Sequence, residues 1–463
     1  MKFCCLTASR ALFACLAFLA VYSTANAQVT SLSPYSRFGI GSILAQGGAV
    51  HHSLGGGTAG VVDNFTVNLD NPASYSFLYT TTFDVGARAT LLQLESSSET
   101  QKLNFASVNR ISMVFKRQGG KFGYGIGLVP YSTTGYSITD TQVFDEFGEV
   151  NFTYDGEGGI NKANFGVGYR LDLEAGNGLF NKEIAPDSVK IRHNIAFGSN
   201  FNYYFGSLEQ TRRVLFADPG NLHTRIATKT TMSDFDLSLG VMGLINLANR
   251  YKKDVKTRQV DLTFGITYEI GQDFSSNFEE LTETVQFYQN SELVVDTALW
   301  IQDLKGTLRL PEKMGVGIGL RWYNKASRQF NLLLDYSVQD WSKFQGQFGT
   351  ESDFNTLAKA SKLSSGFEFI PKPNRTTYRL GFRSTQTYLQ FDSYQIAESA
   401  VSAGLSLPMA HSHSRSRMNL GMEVGQRGTT DNQLLKESFM NFYVGFSLTP
   451  HFFNNWFVER KYD

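Results

Sequence analysis

Residues 313–323 read KMGVGIGLRWY. In an extended strand Met314, Val316, Ile318, Leu320 and Trp322 share one face, and Gly315, Gly317, Gly319 and Arg321 share the other. Residues 259–269, QVDLTFGITYE, repeat the pattern, with Val260, Leu262, Phe264, Ile266 and Tyr268 on one side. Residues 440–448 repeat it again. Strict period-two alternation of apolar with small or polar residues, strand after strand, suits a sheet whose apolar face meets lipid and whose other face lines a lumen.

The alternation marks strands over 83–94, 105–117, 121–132, 160–173, 190–206, 230–246, 257–271, 308–324, 328–341, 363–371, 374–386, 397–408, 415–428 and 437–449. The expected fold is all-β: a transmembrane antiparallel barrel of about 14 strands, an even number that returns both termini to one side. Connections after even strands should be tight periplasmic turns, as at 118–121, 324–327 and 371–373. Those after odd strands should be surface loops, placed at 133–159, 207–229, 272–307 and 342–362. Segments 174–189 and 247–256 are longer than periplasmic turns should be.

The chain opens with Lys2 and Arg10, an apolar run from Ala11 to Tyr22, and Ala25-Asn26-Ala27. This is the pattern of a secretory signal peptide, 1–27, and it implies export to a Gram-negative outer membrane. Cys4, Cys5 and Cys15 all lie within it, so no disulfide scaffold is expected. Formal net charge is zero, which argues against nucleic acid as a partner. No later segment is a continuous apolar stretch of membrane-helix length.

Residues 28–82 precede the first strand and hold no long periodic segment. Tyr35, Phe38, Ile40, Phe65 and Leu69 argue for packing, so this part reads as an N-terminal plug, or hatch, followed by the barrel at 83–449 and a tail at 450–463. Gly86, Gly123, Gly125, Gly127, Gly166, Gly168, Gly198, Gly265, Gly421 and Gly445 fall on the inward face. Either something fills the lumen against them, or they allow the wall to bend.

Asn71-Pro72-Ala73, Leu310-Pro311 before the glycine-rich strand, and Asp335, Trp341 and Ser342 in LLLDYSVQDWSKF together resemble the FadL-type outer-membrane transporters of hydrophobic compounds. SPYSRFGIG at 33–41 and the ending NNWFVERKYD resemble the Bacteroidota branch. The resemblance implies a hatch containing Asn71, Pro72 and Ala73. It also implies passive passage of lipophilic ligands such as long-chain fatty acids, with a lateral opening near a strand kink. Some relatives are instead structural subunits of outer-membrane assembly or secretion complexes, and that alternative stays open here. Expected partners are outer-membrane lipid, a small hydrophobic ligand, or an outer-membrane protein complex.

Inward positions carry charges of both signs: Arg88, Arg170, Asp261, Glu269, Asp335, Arg379, Arg383, Glu423 and Arg427. These form either a lock between wall and plug or a polar permeation path. Candidate apolar ligand contacts are Phe38, Ile40, Leu92, Met242 and Leu333, with Leu94, Val129 and Leu244 also inward. No catalytic residue, cofactor or metal is expected. The run LGGGTAG at 54–60 lacks the Lys-Ser or Lys-Thr of a phosphate loop. G-x-S-x-G is absent. His411 and His413 have no completing ligand nearby. Arg415 and Arg417 suit lipid-phosphate contact at a membrane rim.

Overall fold

The computed structural model describes residues 33–175, 191–218, 220–252, 255–288, 291–324, 328–347, 357–372, 374–409 and 415–449. The expected signal segment, His411, His413 and the tail 450–463 lie outside them. The alternation yields a closed antiparallel barrel of fourteen strands. Its first half comprises β1 (Thr82–Glu95), β2 (Thr100–Lys116), β3 (Phe122–Phe144), β4 (Gly148–Ala175), β5 (Ile191–Phe216), β6 (His223–Lys252) and β7 (Val255–Glu269). The second half comprises β8 (Lys313–Tyr323), β9 (Gln329–Asp340), β10 (Lys359–Ile370), β11 (Thr377–Phe391), β12 (Tyr394–Pro408), β13 (Arg417–Arg427) and β14 (Lys436–Leu448). β14 pairs with β1 from Leu448↔Phe83 to Lys436↔Glu95 and closes the ring.

The apolar face of each strand points out. Leu380 is 58% exposed and Val401 61% exposed, on strands whose opposite faces are buried. Such a belt is stable only against hydrocarbon. Among the described residues no helix is long and apolar enough to cross a membrane.

Two expectations about connections need correction. Segments 133–159 and 207–229 are not loops: β3 to β6 continue far above the belt as paired strands, with Phe144↔Gly148 and Val214↔Thr224 near their tips. Segment 272–307 belongs to a hairpin of Gln272–Tyr288 with Ser291–Leu310, whose first strand pairs with upper β6 from Met232↔Ser276 to His223↔Val285. These upper parts stand clear of the lipid-facing belt and bury Val150, Leu208 and Val285 beside polar groups such as His223 and Glu283, so their sequence loses the apolar alternation that marked the belt. In 342–362 a short strand, Gln345–Gln347, pairs back to Thr307–Arg309. The supposedly long turn at 247–256 is also strand, since β6 runs to Lys252 and β7 begins at Val255.

Residues 33–81 lie inside the ring. They form a 3-10 turn (Pro34–Arg37), a two-residue strand (Ser42–Ile43), one helical turn (Ala49–His52) and a 3-10 helix (Pro72–Phe77). Phe38, Ile40 and Tyr35 join Tyr131, Tyr204, Trp341 and Tyr388 in a buried cluster toward the tall end. Val67, Leu69 and Tyr75 pack on Val114 and Val129 nearer the short turns.

Candidate functional site

Three features of this architecture can do work: the seat of the plug, a break in the wall, and the crown above it.

The seat begins at Asn71, which is fully buried and caps the 3-10 helix. Its Nδ2 donates to Ala59 O (3.0 Å) and Val241 O (3.3 Å), and its Oδ1 accepts from Ala73 N (3.2 Å). Pro72 supplies the fixed φ of the first helical position. The wall beneath is glycine because nothing larger fits: a Cβ at Gly240 would overlap Asn71 Oδ1, and one at Gly198 would overlap Ala73 N.

Wall charges meet the plug mainly through its backbone. Asp335 accepts from Ala59 N (2.8 Å) and Gly60 N (3.2 Å). Lys362 donates to Gly56 O (2.8 Å), Arg170 to Ser76 O (3.1 Å) and Arg110 to Val67 O (2.9 Å). An irregular plug has no ladder to satisfy its own peptide groups, so polar side chains from the wall must do so.

The other inward charges pair chiefly within the wall. Arg383 holds Glu398 (2.6 Å) and Glu423 (2.7 Å), and Arg379 holds Glu368 (2.6 Å). Glu269 pairs with Lys162 (2.9 Å). Asp261 takes neutral donors, Asn246 and Gln259. Arg88 has no ion pair among the described residues and lies over Phe105. A direct side-chain lock between wall and plug is therefore limited to contacts such as Glu423 to His52 (3.8 Å), Arg427 to Ser33 (2.7 Å) and Arg379 to Asp63 (3.9 Å). Sequence reasoning missed Lys162, Lys362 and Arg110, whose partners include backbone carbonyls or distant strands.

The apolar candidates do not converge on one pocket. Phe38 and Ile40 belong to the tall-end cluster. Met242 packs with Ala73 and Phe77. Leu333 packs on Val50, Leu54 and Val61. Leu92 lines a separate 130 Å³ cavity beside Arg88, Arg383, Glu398 and Glu437. A second inner cavity, 180 Å³, shares Arg383, Glu398 and Arg427 with it. The first is rich in ions, which suits water better than an acyl chain, whereas the second also has an apolar side made by Ile43, Tyr131, Val338, Trp341, Tyr388 and Leu389. Arg415 and Arg417 lie over Tyr79 and Phe65 of the plug. Among the described residues no cluster of potential metal ligands occurs.

The wall is broken between β2 and β3. Their ladder runs only from Lys116↔Gly123 to Ile111↔Leu128. Just above it Asn109 bulges out of register with β1 and Tyr131 out of register with β4. Pro130, which has no N–H to give a ladder, stands between. Gly158 (φ +114) and Gly206 (φ +155) adopt conformations closed to most side chains and bend the neighbouring strands at the same level. The result is an opening of about 690 Å³, with the exposed Val108, Ile111 and Leu128 and Pro130 at the wall, and Ser132, Thr133, Asn161, Ser207 and Leu44 of the plug also lining it.

The crown is formed by the upper hairpins. Phe147, Phe216, His223 and Phe287 make a continuous row across them, with ring centroids 5.7, 6.3 and 5.1 Å apart. Tyr288, Leu293 and Trp300 are also exposed on the last hairpin, Trp300 to 66%. Glu292 clamps the last hairpin to its neighbours, pairing with Arg213 (3.0 Å) and Arg225 (2.7 Å).

The sequence matches the model of a family described as BamG over residues 9–177 and 171–463. The FadL-type resemblance suggested by the short motifs is met at the level of fold, by solved structures. No curated protein matches it in sequence. Among solved structures, the Ralstonia pickettii toluene transporter TbuX is 12% identical with a TM-score of 0.52, over 88% of this chain and 98% of that one. The Pseudomonas putida toluene transporter TodX is 15% identical with a TM-score of 0.51, over 88% and 99%. At such identities the likeness is one of fold.

Proposed function

This chain belongs to the BamG family, and we propose that it serves as an accessory barrel of an outer-membrane protein complex, holding a protein partner through its crown. The observation that carries this reading is the aromatic row Phe147–Phe216–His223–Phe287 with exposed Trp300 and Tyr288, standing above the lipid belt. Exposed aromatic side chains gathered on one set of hairpins mark a binding surface. The Glu292 clamp presents it on a rigid support, which lowers the ordering cost of association. The plugged interior fits a structural role.

A second reading, passive passage of small hydrophobic compounds such as fatty acids or aromatics, is favoured by the opening between β2 and β3. The barrels that share its fold are described as toluene transporters.

Purification in a mild detergent, with identification of everything that co-elutes, separates the two. A stoichiometric protein partner that is lost in the Phe287→Ala, Trp300→Ala double variant supports the accessory role. A partner-free barrel carrying stoichiometric lipophilic ligand overturns it in favour of passage.

A further inference from the structure

The break in the wall leaves two strand edges, and only one of them is satisfied. On β3, Ser132 and Thr133 pair with the plug strand Ser42–Ile43. Leu44 N donates to Tyr131 O (2.9 Å), and Gly135 N donates to Ser36 Oγ (3.0 Å). The plug thus adds a strand of its own to this edge. On β2, no hydrogen bond among the described residues reaches the edge of Thr100–Asn109 that faces the opening.

That edge lies in the lipid belt. Asn104 pairs with Leu91, which is 50% exposed on the outer face of β1, and Val108 is 56% exposed. In hydrocarbon every peptide group needs a partner, and an open sheet edge facing lipid is not a stable state. A purely apolar ligand in the opening offers no donor or acceptor. An added β-strand offers both, at the spacing the edge requires.

We infer that the β2 edge from Asn104 to Asn109 receives a membrane-embedded β-strand of a partner protein, completing the sheet beside the opening. This inference rests on the accessory role proposed above and names where the partner enters the membrane. The strand's chemistry follows from the site. Asn104, Ala106 and Val108 point outward along β2, and Leu103, Phe105 and Ser107 inward. The lining of the opening contributes Ser132, Thr133, Asn161 and Ser207. The partner strand therefore alternates apolar residues toward lipid with small or polar residues toward the opening. Only another barrel-forming chain supplies such a strand.

The test places a photo-crosslinking amino acid at Ala106 or Val108 of the full-length protein in native membranes. Val401, on the closed wall, and Trp300, in the crown, serve as controls, and heat-modifiable migration on gels verifies folding. The expected result is one protein adduct from both Ala106 and Val108. The attachment points should fall two residues apart in an alternating strand of that protein, with only lipid captured at Val401. Capture of lipid alone, or of a second copy of this chain, at Ala106 and Val108 overturns the inference. If Trp300 still captures a protein in that case, the accessory role survives without the strand. If no position captures protein, both fail.

Discussion

Replacing Asn71 with alanine should free the plug while leaving the wall intact. The side chain makes three hydrogen bonds in a fully buried site, and its loss orphans Ala59 O and Ala73 N, which have no other partner among the described residues. Val241 O sits on a wall strand and keeps its ladder. Two buried groups left unpaired cost about 2–4 kcal/mol together. If the plug opens as its own cooperative unit, its slowest amides should exchange roughly 30- to 1000-fold faster. Hydrogen exchange with mass spectrometry in detergent reads this directly, comparing peptides across 60–80 with a β14 peptide across 436–448. The β14 amides should not change. Asn71→Asp should be at least as damaging, because it turns a buried carboxylate oxygen toward the carbonyls of Ala59 and Val241. An Asn71→Ala plug whose protection stays within about twofold of the parent would refute the reasoning, and would mean that shape against the wall glycines holds the plug unaided.

Glu292→Gln removes one partner from each arginine of the crown clamp, leaving Arg213 with Asp155 and Arg225 with Glu283; Arg213, Arg225 and Glu292 are all roughly a quarter exposed. Partly solvated pairs of this kind are worth about 1 kcal/mol in sum, so amides of 276–285 should exchange roughly fivefold faster with no change in the barrel's thermal midpoint. A midpoint shift would show instead that the clamp supports the wall. Gly206→Val puts a branched side chain at φ +155, where its Cβ would overlap Gly159 O. The strain should cost about 1–3 kcal/mol and lower the temperature at which the barrel loses its folded migration on gels. An unchanged temperature would mean that the bend beside the opening is not conformationally demanding.

The wall was legible because lipid imposes one rule on every strand that crosses it. Residues such as Val316, Ile318 and Leu380 must be apolar outside, and the period-two signal survives wherever that rule applies. It vanishes above the belt. In 150–159, VNFTYDGEGG, only Val150 is buried and Asp155 is held in an ion pair, so a strand there looks like a loop. The opening was illegible for a different reason: it is a pairing that does not occur, and Asn109 and Pro130 alone do not announce it.

The plug lies between these cases. Its glycine seats could be read as needing a lumen filler, but the charges facing it could not be matched to partners. Asp335, Lys362, Arg110 and Arg170 bind peptide groups of the plug, and a carbonyl or N–H has no sequence identity of its own. Arg170 and Arg110 also have counter-ions, Asp172 (2.7 Å) and Asp84 (3.7 Å), but a search for opposite charges misses the peptide groups that all four hold. A ladder-poor segment folded inside a closed sheet must draw its hydrogen bonds from side chains of the wall, so inward charges without obvious counter-ions are themselves the mark of an irregular backbone nearby. Arg88 extends the argument. It faces the lumen, lies over Phe105 and has no ion pair among the described residues. It sits on β1, which pairs with the open-edged β2. Arg88, one of the wall charges without a counter-ion, thus stands next to the strand whose own backbone still lacks a partner.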